Sequence, residues 1–319
     1  MSVAKLVTQN FRNLKGTAIN FHPRLNFILG ENGSGKSSLL EAIFYLGHGK
    51  SFRTTKVNSI VSHQTEKFVV SIKNDNSHQI GVSRDALTSE TNIKIDGQRK
   101  NRLSDLAKSI AVQIVTPESF KLFFGGPKER RRFIDLGVFH VEHDFSEKWR
   151  DFSKVLKQRN ACLRSKLDIS MLNYWSDSFC AHSLVIAQSR SRYIDKLSSE
   201  LIYWLNKLLP NISSEIAIQY SQGWHQKKHL NNVLAGNRER ELTIGHTIFG
   251  AHKFDIKFLI DKKPLDMCLS RGQQKLFLLA LTFAQSKLIE RVNQVKPKII
   301  CKCRSADKAK CFLCQGAYN

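Results

Sequence analysis

Residues Gly30–Ser37 fit the pattern G-x-x-x-x-G-K-[ST], which wraps the phosphates of a nucleotide. Glycines let backbone N–H groups surround a phosphate, and the following helix adds a favourable dipole. Lys36 would bridge the β- and γ-phosphates of ATP, and Ser37 would hold Mg²⁺. A glycine-rich turn without a ligand is the alternative, which the flanking strand and helix patterns disfavour. The candidate nucleotide-binding residues are Gly30, Glu31, Asn32, Gly33, Ser34, Gly35, Lys36, Ser37 and Ser38.

A second short motif, Leu269–Gln274, stands at the start of a long apolar segment. Ser270 is a good helix N-cap, so a cap that faces solvent would explain it. Together with the phosphate loop far upstream and a helical stretch between, the motif instead indicates the signature of an ABC-type ATPase. In that architecture the serine and helix N-terminus of one subunit meet the γ-phosphate held by another, so nucleotide state controls dimerisation. The residues assigned to this role in trans are Ser270, Arg271, Gly272 and Gln273.

The spacing of apolar residues, which predicts the type of secondary structure that carries these motifs, changes along the chain. The first third has period two and predicts strands, including Leu25–Leu29 before the phosphate loop and an antiparallel meander over residues 68–95. From Pro127 to Pro210 the period is 3.6, which predicts amphipathic helices without the sustained heptads of a long coiled coil. Strands then return, and a buried helix is predicted from Ser270 to about Val292.

This order of elements predicts an α/β fold, an ABC-type P-loop NTPase head with a mixed sheet, an inserted helical lobe and no long coiled coil. We expect the ATP-binding lobe at residues 1–120 and 245–300, and a mainly helical second lobe at residues 121–244. Residues 301–319 form a Cys- and Lys-rich tail that does not fit this plan.

The composition is strongly basic, with 50 Lys and Arg against 27 Asp and Glu and a formal charge of +23. Such an excess favours a polyanionic partner, nucleic acid before an anionic membrane. No apolar run approaches the ~18 residues that span a bilayer, and the first residues lack the apolar region and cleavage site of a signal peptide. We expect a soluble cytoplasmic protein with no membrane partner.

Basic residues cluster on two consecutive predicted helices. Arg150, Lys154 and Lys157 recur at i, i+4 and i+7 and therefore share one face. Either cluster alone could be a solvated face, but the overall charge favours a surface that follows DNA phosphates with weak sequence preference. The candidate DNA-binding residues are Lys128, Arg130, Arg131, Arg132, Arg150, Lys154 and Lys157.

Blocks of sequence from residue 10 to about residue 295 resemble the RecF family. They are Asn10–Leu14, Gly30–Ser38, Thr116–Glu118, Gly125–Asp135, Leu156–Asn160, Gln222–Trp224, Gly250–Lys253 and Leu269–Gln273. The resemblance implies ATP-dependent dimerisation on DNA at single-strand/double-strand junctions, and a role in DNA repair, replication and the SOS response. It also implies RecR and RecO as partners, which help RecA onto gapped DNA.

The family pattern makes Gln113 a candidate for the glutamine that contacts Mg²⁺ or the attacking water. A glutamine at the edge of a strand is the alternative. An ABC ATPase also needs an apolar strand that ends in an acidic pair, which completes the Mg²⁺ site and polarises water. Lys298–Ile300 begins such a strand, which we expect next to the phosphate-loop strand, but Cys301 and Lys302 follow. No catalytic carboxylate is assigned, and we expect hydrolysis to be severely impaired.

Two interpretations of the tail stay open. A frameshifted or prematurely ended reading frame explains why the strand pattern is lost midway, and we favour it. Four thiols at this spacing could instead hold Zn²⁺, namely Cys301, Cys303, Cys311 and Cys314.

Two rival functions are weighed against an ATP-switched DNA-repair protein. The ATPase subunit of a membrane transporter would lack the strong positive charge and the blocks between Gly125 and Asn160. A DNA-binding protein without ATP turnover, in which the nucleotide fold is scaffold, stays open because the acidic pair is missing.

Overall fold

The computed structural model describes residues 2–165, 169–210, 216–294, 297–303 and 310–315. Its internal contacts divide the chain into two compact units. The first comprises residues 1–119 and 289–319, and the second comprises residues 120–288.

The secondary structure follows the predicted change of period. The strands are β1 (Val3–Phe11), β2 (Leu14–Asn20), β3 (Leu25–Ile28), β4 (Lys67–Asn74), β5 (Gln79–Asp85), β6 (Thr91–Ile95), β7 (Gln98–Lys100), β8 (Val112–Val115), β9 (Ile216–Ser221), β10 (Asp255–Ile260), β11 (Lys263–Pro264), β12 (Lys298–Cys303) and β13 (Lys310–Cys314). The helices are α1 (Lys36–His48), α2 (Leu103–Ser109), α3 (Lys121–Phe124), α4 (Pro127–Val141), α5 (Phe145–Ser165), α6 (Ile169–Leu208), α7 (Leu230–Ala235), α8 (Arg238–Ile244), α9 (Leu265–Cys268) and α10 (Arg271–Asn293).

The first unit contains a six-stranded antiparallel sheet in the order β2-β1-β4-β5-β6-β7. Its β4–β5–β6 part is the predicted meander, which is therefore confirmed. Asp96 and Gly97 have positive φ angles of 50° and 79° and form the tight turn between β6 and β7. One face of this sheet packs on α1, whose residues Leu39–Gly47 are all buried.

A second sheet of the same unit carries the phosphate loop and has the order β3-β13-β12-β8. Strand β12 runs parallel to β8, as a continuation of the ATPase pattern would. The expectation that the strand beginning at Lys298 stands beside the phosphate-loop strand is wrong, because β13 lies between them and pairs antiparallel with β3. The physical reason is the alternation in β13, where Cys311 and Leu313 are buried and supply an inward-facing side of a strand.

The register of β12 and β13 bears on the zinc interpretation of the tail. Cys301 is opposite Phe312, whereas Cys311 is opposite the neighbouring residue Lys302. Since successive residues of a strand face opposite sides, Cys301 and Cys311 lie on different faces of the sheet. Among the residues described, no group of three or more His, Cys, Asp or Glu side chains could hold a metal ion. Cys301 and Cys311 are therefore not arranged to share one ion, while the Cys303 side chain lies outside the described residues.

The second unit is built on helices. Helix α6 is 40 residues long, which corresponds to about 60 Å, and α5 packs beside it through Phe152 and Phe179, whose ring centroids are 5.5 Å apart. Strands β9, β10 and β11 form an antiparallel sheet in this unit. None of the helices in the described ranges combines the length and apolar character that crossing a membrane requires.

The boundary between the units differs from the one drawn from sequence. Residues 245–288 group with the helical unit rather than with the first unit. The reason is local pairing: β10 forms its ladder with β9, and Asp255 at its start binds Arg130 of α4.

Candidate nucleotide site and basic surfaces

The phosphate loop connects the end of β3 to the first turn of α1. Gly33 and Gly35 have φ angles of +88° and +95°, in the left-handed region that side chains other than glycine rarely adopt. A Cβ atom on Gly35 would also lie 3.0 Å from Leu14 Cδ2. The glycines therefore permit a loop of backbone that turns tightly in front of the helix N-terminus, an arrangement suited to an anion.

Lys36 lies at the first position of α1 and is only 7% exposed. Its ammonium group donates hydrogen bonds to the carbonyl oxygens of Gly30 at 2.6 Å and Glu31 at 2.5 Å, and lies 3.5 Å from Ser34 Oγ. The loop thus surrounds the positively charged ammonium group of Lys36. Such a charge can neutralise the terminal phosphates of a nucleotide.

Asn13 in the turn between β1 and β2 ties the loop to the helix. Its side-chain nitrogen donates to the Gly33 carbonyl at 3.0 Å, and its side-chain oxygen accepts a hydrogen bond from Ser38 Oγ at 2.8 Å. Sequence reasoning grouped Asn13 with a family block but gave it no role. The one available signal was its place in the family block Asn10–Leu14, since nothing in the spacing shows that the β1–β2 turn meets the loop.

Glu41, one turn further along α1, is a second residue that sequence reasoning missed. Its fully buried carboxylate accepts hydrogen bonds from Arg12 at 2.6 Å, Arg53 at 3.2 Å and Ser51 Oγ at 2.5 Å. A buried carboxylate is tolerated only when it is paired in this way. The cluster fixes α1 relative to two segments distant from it in sequence.

The remaining candidates for Mg²⁺ chemistry are spread over three elements. Ser37 is in the first turn of α1, and Gln113 is buried in β8 opposite Ile299 of β12. Strand β12 itself, Lys298–Cys303, contains no Asp or Glu. The described residues therefore supply a phosphate cradle and a serine hydroxyl, while the carboxylate that Mg²⁺ prefers is missing from this strand.

The signature residues form an N-terminal capping box on α10. Ser270 Oγ accepts a hydrogen bond from the Gln273 backbone N–H at 3.3 Å, and Gln273 Oε1 accepts one from the Ser270 N–H at 2.9 Å. Ser270, Arg271 and Gly272 are all exposed. The cap interpretation is therefore correct as local structure, and the same exposure leaves the motif accessible to another molecule.

The basic candidates divide into inward- and outward-facing residues. Arg130 makes a bidentate ion pair with Asp255 at 2.8 and 2.9 Å, and Arg131 donates to the Phe254 carbonyl at 3.1 Å. The exposed candidates are Lys128 and Arg132 on α4, and Arg150, Lys154 and Lys157 on α5. Arg130 and Arg131 thus have structural partners, and the α5 group alone forms a continuous exposed face.

The fold and the loop define a P-loop ATPase head of the kind found in SMC-type proteins. The family described as RecF/RecN/SMC N terminal domain matches residues 2–307. The DNA replication and repair protein RecF of Colwellia psychrerythraea is 63% identical over 300 residues, which is 94% of this chain and 80% of that protein. RecF of Pseudoalteromonas translucida is 43% identical over 297 residues, 91% of this chain and 80% of that protein. The chain belongs to the RecF family.

Solved structures show the same fold. A structure of the recombination mediator protein RecF with ATP, from the RecFOR pathway, superposes with a TM-score of 0.84 at 24% sequence identity. The match covers 93% of this chain and 83% of that one. The predicted fold class, an ATPase head with a helical lobe, is therefore confirmed.

Proposed function

We propose that this chain is an ATP-binding protein of DNA repair and replication, in which ATP acts as a switch for dimerisation on DNA. The observation that carries the proposal is the geometry of the phosphate loop, where two left-handed glycines and the enclosed Lys36 ammonium form a cradle for phosphate. The relative solved with ATP supports the same ligand.

The residues of the loop would have different roles in binding ATP. Backbone N–H groups of Gly33–Lys36 would hold the β-phosphate, the Lys36 ammonium would neutralise the terminal phosphates, and the Ser37 hydroxyl would be a ligand for Mg²⁺. Bound ATP supplies the negative charge that a second subunit can recognise. The signature residues Ser270–Gln273 of that subunit, of which Ser270, Arg271 and Gly272 are exposed, would meet the γ-phosphate and make the homodimer depend on ATP.

DNA binding is supported by the charge of +23 and by the exposed basic face of α5. Contacts of this type follow phosphates rather than bases, which suits junctions of single- and double-stranded DNA. By family membership we propose RecR and RecO as partners, RecA as the protein whose loading is assisted, the SOS response as a linked process and the cytoplasm as the location.

A second function is favoured by one specific observation, the lack of an acidic residue in β12. Without that carboxylate neither the Mg²⁺ site nor the attacking water is fully organised. The chain would then bind ATP and DNA with little or no turnover. Gln113 remains a proposed contact for Mg²⁺ or water.

The test is equilibrium titration with a fluorescent ATP analogue. Lys36→Ala should abolish binding, whereas Lys73→Ala, which removes an exposed lysine of β4 in the same unit, should leave it unchanged. Equal affinity of the Lys36→Ala and unmutated proteins would overturn the ATP site.

A measurement of phosphate release from ATP distinguishes a protein that hydrolyses ATP from one that binds ATP with little or no turnover. We expect turnover far below that of a RecF relative with the acidic pair. A comparable rate in this chain, lost in Lys36→Ala, would contradict the second function and leave the first intact.

A further inference from the structure

The second unit contains an open cleft of about 660 Å³ that the nucleotide site does not involve. Its rim is basic, and its wall is partly apolar. The residues that define it are His225, Lys227, Lys228, His229, Val233 and Phe249. Among the described residues that line the cleft there is no Asp or Glu, so its electrostatic character is suited to an anion.

The segment that carries the four basic residues is anchored at its start. Gly223 has a φ angle of +101°, and a Cβ atom there would lie 2.1 Å from the Gly250 carbonyl oxygen. The Gly250 N–H donates to the Gly223 carbonyl at 3.2 Å, and Trp224 is buried. The basic segment is thus held in place by two blocks of the chain that have no role in the nucleotide site, Gln222–Trp224 and Gly250–Lys253.

Hydrogen bonds within the segment orient its donors. The Lys227 backbone N–H donates to Nδ1 of His225 at 3.2 Å, and the Lys228 N–H donates to the His225 carbonyl at 3.0 Å. Because Nδ1 of His225 is the acceptor, its Nε2 carries the hydrogen in the neutral ring and can donate to a ligand. The exposed Lys227 and Lys228 add two ammonium groups on the same turn.

The wall of the cleft offers a different kind of contact. Val233 and Phe249 are both partly exposed there. A volume of this size lies within the range of small-ligand sites and is sufficient for one nucleotide. Aromatic side chains stack on unpaired bases, whereas bases in a duplex are already stacked on each other. The pairing of a basic rim with an exposed aromatic ring therefore distinguishes an unpaired strand from a duplex.

We propose that this cleft binds a nucleotide of unpaired DNA, with its phosphate at His225, Lys227 and Lys228 and its base against Phe249. The inference rests on the proposed DNA-binding function but uses residues separate from the α5 face. It assigns the single-strand part of a junction to the Trp224–Asn237 region. The α5 face would bind phosphates of both single- and double-stranded DNA.

Fluorescence anisotropy with a labelled 20-nucleotide oligothymidylate tests the cleft. Lys227→Gln/Lys228→Gln should lower the slope of log K against log[salt] by roughly 1.4, since each single-strand phosphate contact contributes about 0.7. Lys262→Gln/Lys263→Gln removes the same charge from an exposed turn of the same unit and should not change the slope. Phe249→Leu should weaken oligothymidylate binding several-fold and leave binding of a 20-base-pair duplex unchanged.

The results of these experiments distinguish the proposed DNA-binding function from the assignment of the cleft. If the unmutated protein binds neither oligothymidylate nor duplex, the proposed DNA-binding function fails. If it binds oligothymidylate and the cleft variants match the Lys262/Lys263 control, the cleft assignment alone is overturned.

A measurement on the unmutated protein avoids any effect of substitution on folding. Lysine acetylation followed by mass spectrometry should show protection of Lys227 and Lys228 by oligothymidylate, with Lys262 and Lys263 modified as before. Unchanged modification of Lys227 and Lys228 while the oligonucleotide is bound would overturn the site. Equal protection by the duplex, or by pyrophosphate at the same concentration, would overturn its selectivity for an unpaired strand.

Discussion

The side-chain oxygen of Asn13 accepts a hydrogen bond of 2.8 Å from the hydroxyl of Ser38, and this bond joins a β-turn to the helix that follows the phosphate loop. The nitrogen of the same amide donates to the Gly33 carbonyl of the loop. One side chain therefore contacts both the middle of the phosphate loop and the helix that follows it. The nucleotide site depends on the β1–β2 turn as well as on its own motif.

Asn13→Ala should weaken ATP binding by up to about thirtyfold, because the loss of two hydrogen bonds of about 1 kcal/mol each loosens the loop. Titration with a fluorescent ATP analogue measures this change. Asn74→Ala is the matched control, since the Asn74 amide also makes two hydrogen bonds, but its oxygen accepts them from the backbone N–H groups of Asn76 and His78 in the β4–β5 turn. Equal affinities for the two variants would show that Asn13 does not support the loop.

Reversing the exposed face of α5 should weaken duplex binding and flatten its salt dependence. For Arg150→Glu/Lys154→Glu/Lys157→Glu we expect the slope of log K against log[salt] to fall by up to roughly 0.9 per lost phosphate contact. Lys257→Glu/Lys262→Glu/Lys263→Glu has the same change of charge on exposed residues elsewhere. The assignment of α5 is contradicted if both triple variants change the slope equally.

Arg130 should behave as a structural residue although it belongs to a basic cluster. Its bidentate ion pair with Asp255 raises the pKa of Arg130 and leaves little of its side chain exposed. Arg130→Gln should therefore lower the melting temperature and leave the salt slope of DNA binding unchanged. A flattened slope with unchanged melting would show that Arg130 contacts DNA.

Arg159 and Glu241 form a buried ion pair of 2.7 Å, with side chains 2% and 0% exposed. Arg159→Met should cost about 3–5 kcal/mol of stability, because it leaves the Glu241 carboxylate buried without its partner. Adding Glu241→Leu should cost much less than the sum of the single changes, with a coupling above about 1 kcal/mol in urea unfolding. Additive losses would mean that the two charges do not depend on each other.

Stability should fall below neutral pH, and His140 should account for part of the loss. Burial lowers the pKa of His140 from 6.5 to about 4. The unfolded chain therefore binds a proton that the folded chain excludes, so this contribution is present above pH 6.5 and is lost as the pH falls to about 4. His140→Gln should reduce the slope of unfolding free energy against pH by about 1.4 kcal/mol per unit in this window. Equal slopes for His140→Gln and the unmutated protein would refute the assignment.

The elements with strong local patterns could be predicted from the sequence alone. The phosphate loop, the β4–β6 meander and the helix after Ser270 each follow from spacing within a single segment. Local patterns also placed Arg150, Lys154 and Lys157 on one exposed face. These features depend on neighbours a few residues away, which a single sequence displays directly.

Contacts between distant segments could not be obtained in this way. Arg130 was assigned to a DNA surface because its partner Asp255 lies 125 residues further along the chain. Glu41 gave no signal, since its ion pairs arise only when Arg12 and Arg53 meet α1. Strand β13 was not predicted because the tail was interpreted as a frameshifted segment, although the apolar run Cys311–Cys314 also fits a strand.

The antiparallel strand β13 sets a limit on repairing the catalytic site by substitution. Neighbouring strands of a sheet are about 4.8 Å apart, so β12 stands roughly 9.6 Å to the side of β3. A magnesium ion reaches its ligands at about 2.1 Å and can join oxygens no more than about 4 Å apart. An aspartate placed at position 301 or 302 would therefore have to reach the ion past β13, with its own side chain or through a bound water. Because Cys311 of β13 pairs with Ile28 at the end of β3, restoring an ion site would depend on the residues of β13 as well as on those of β12.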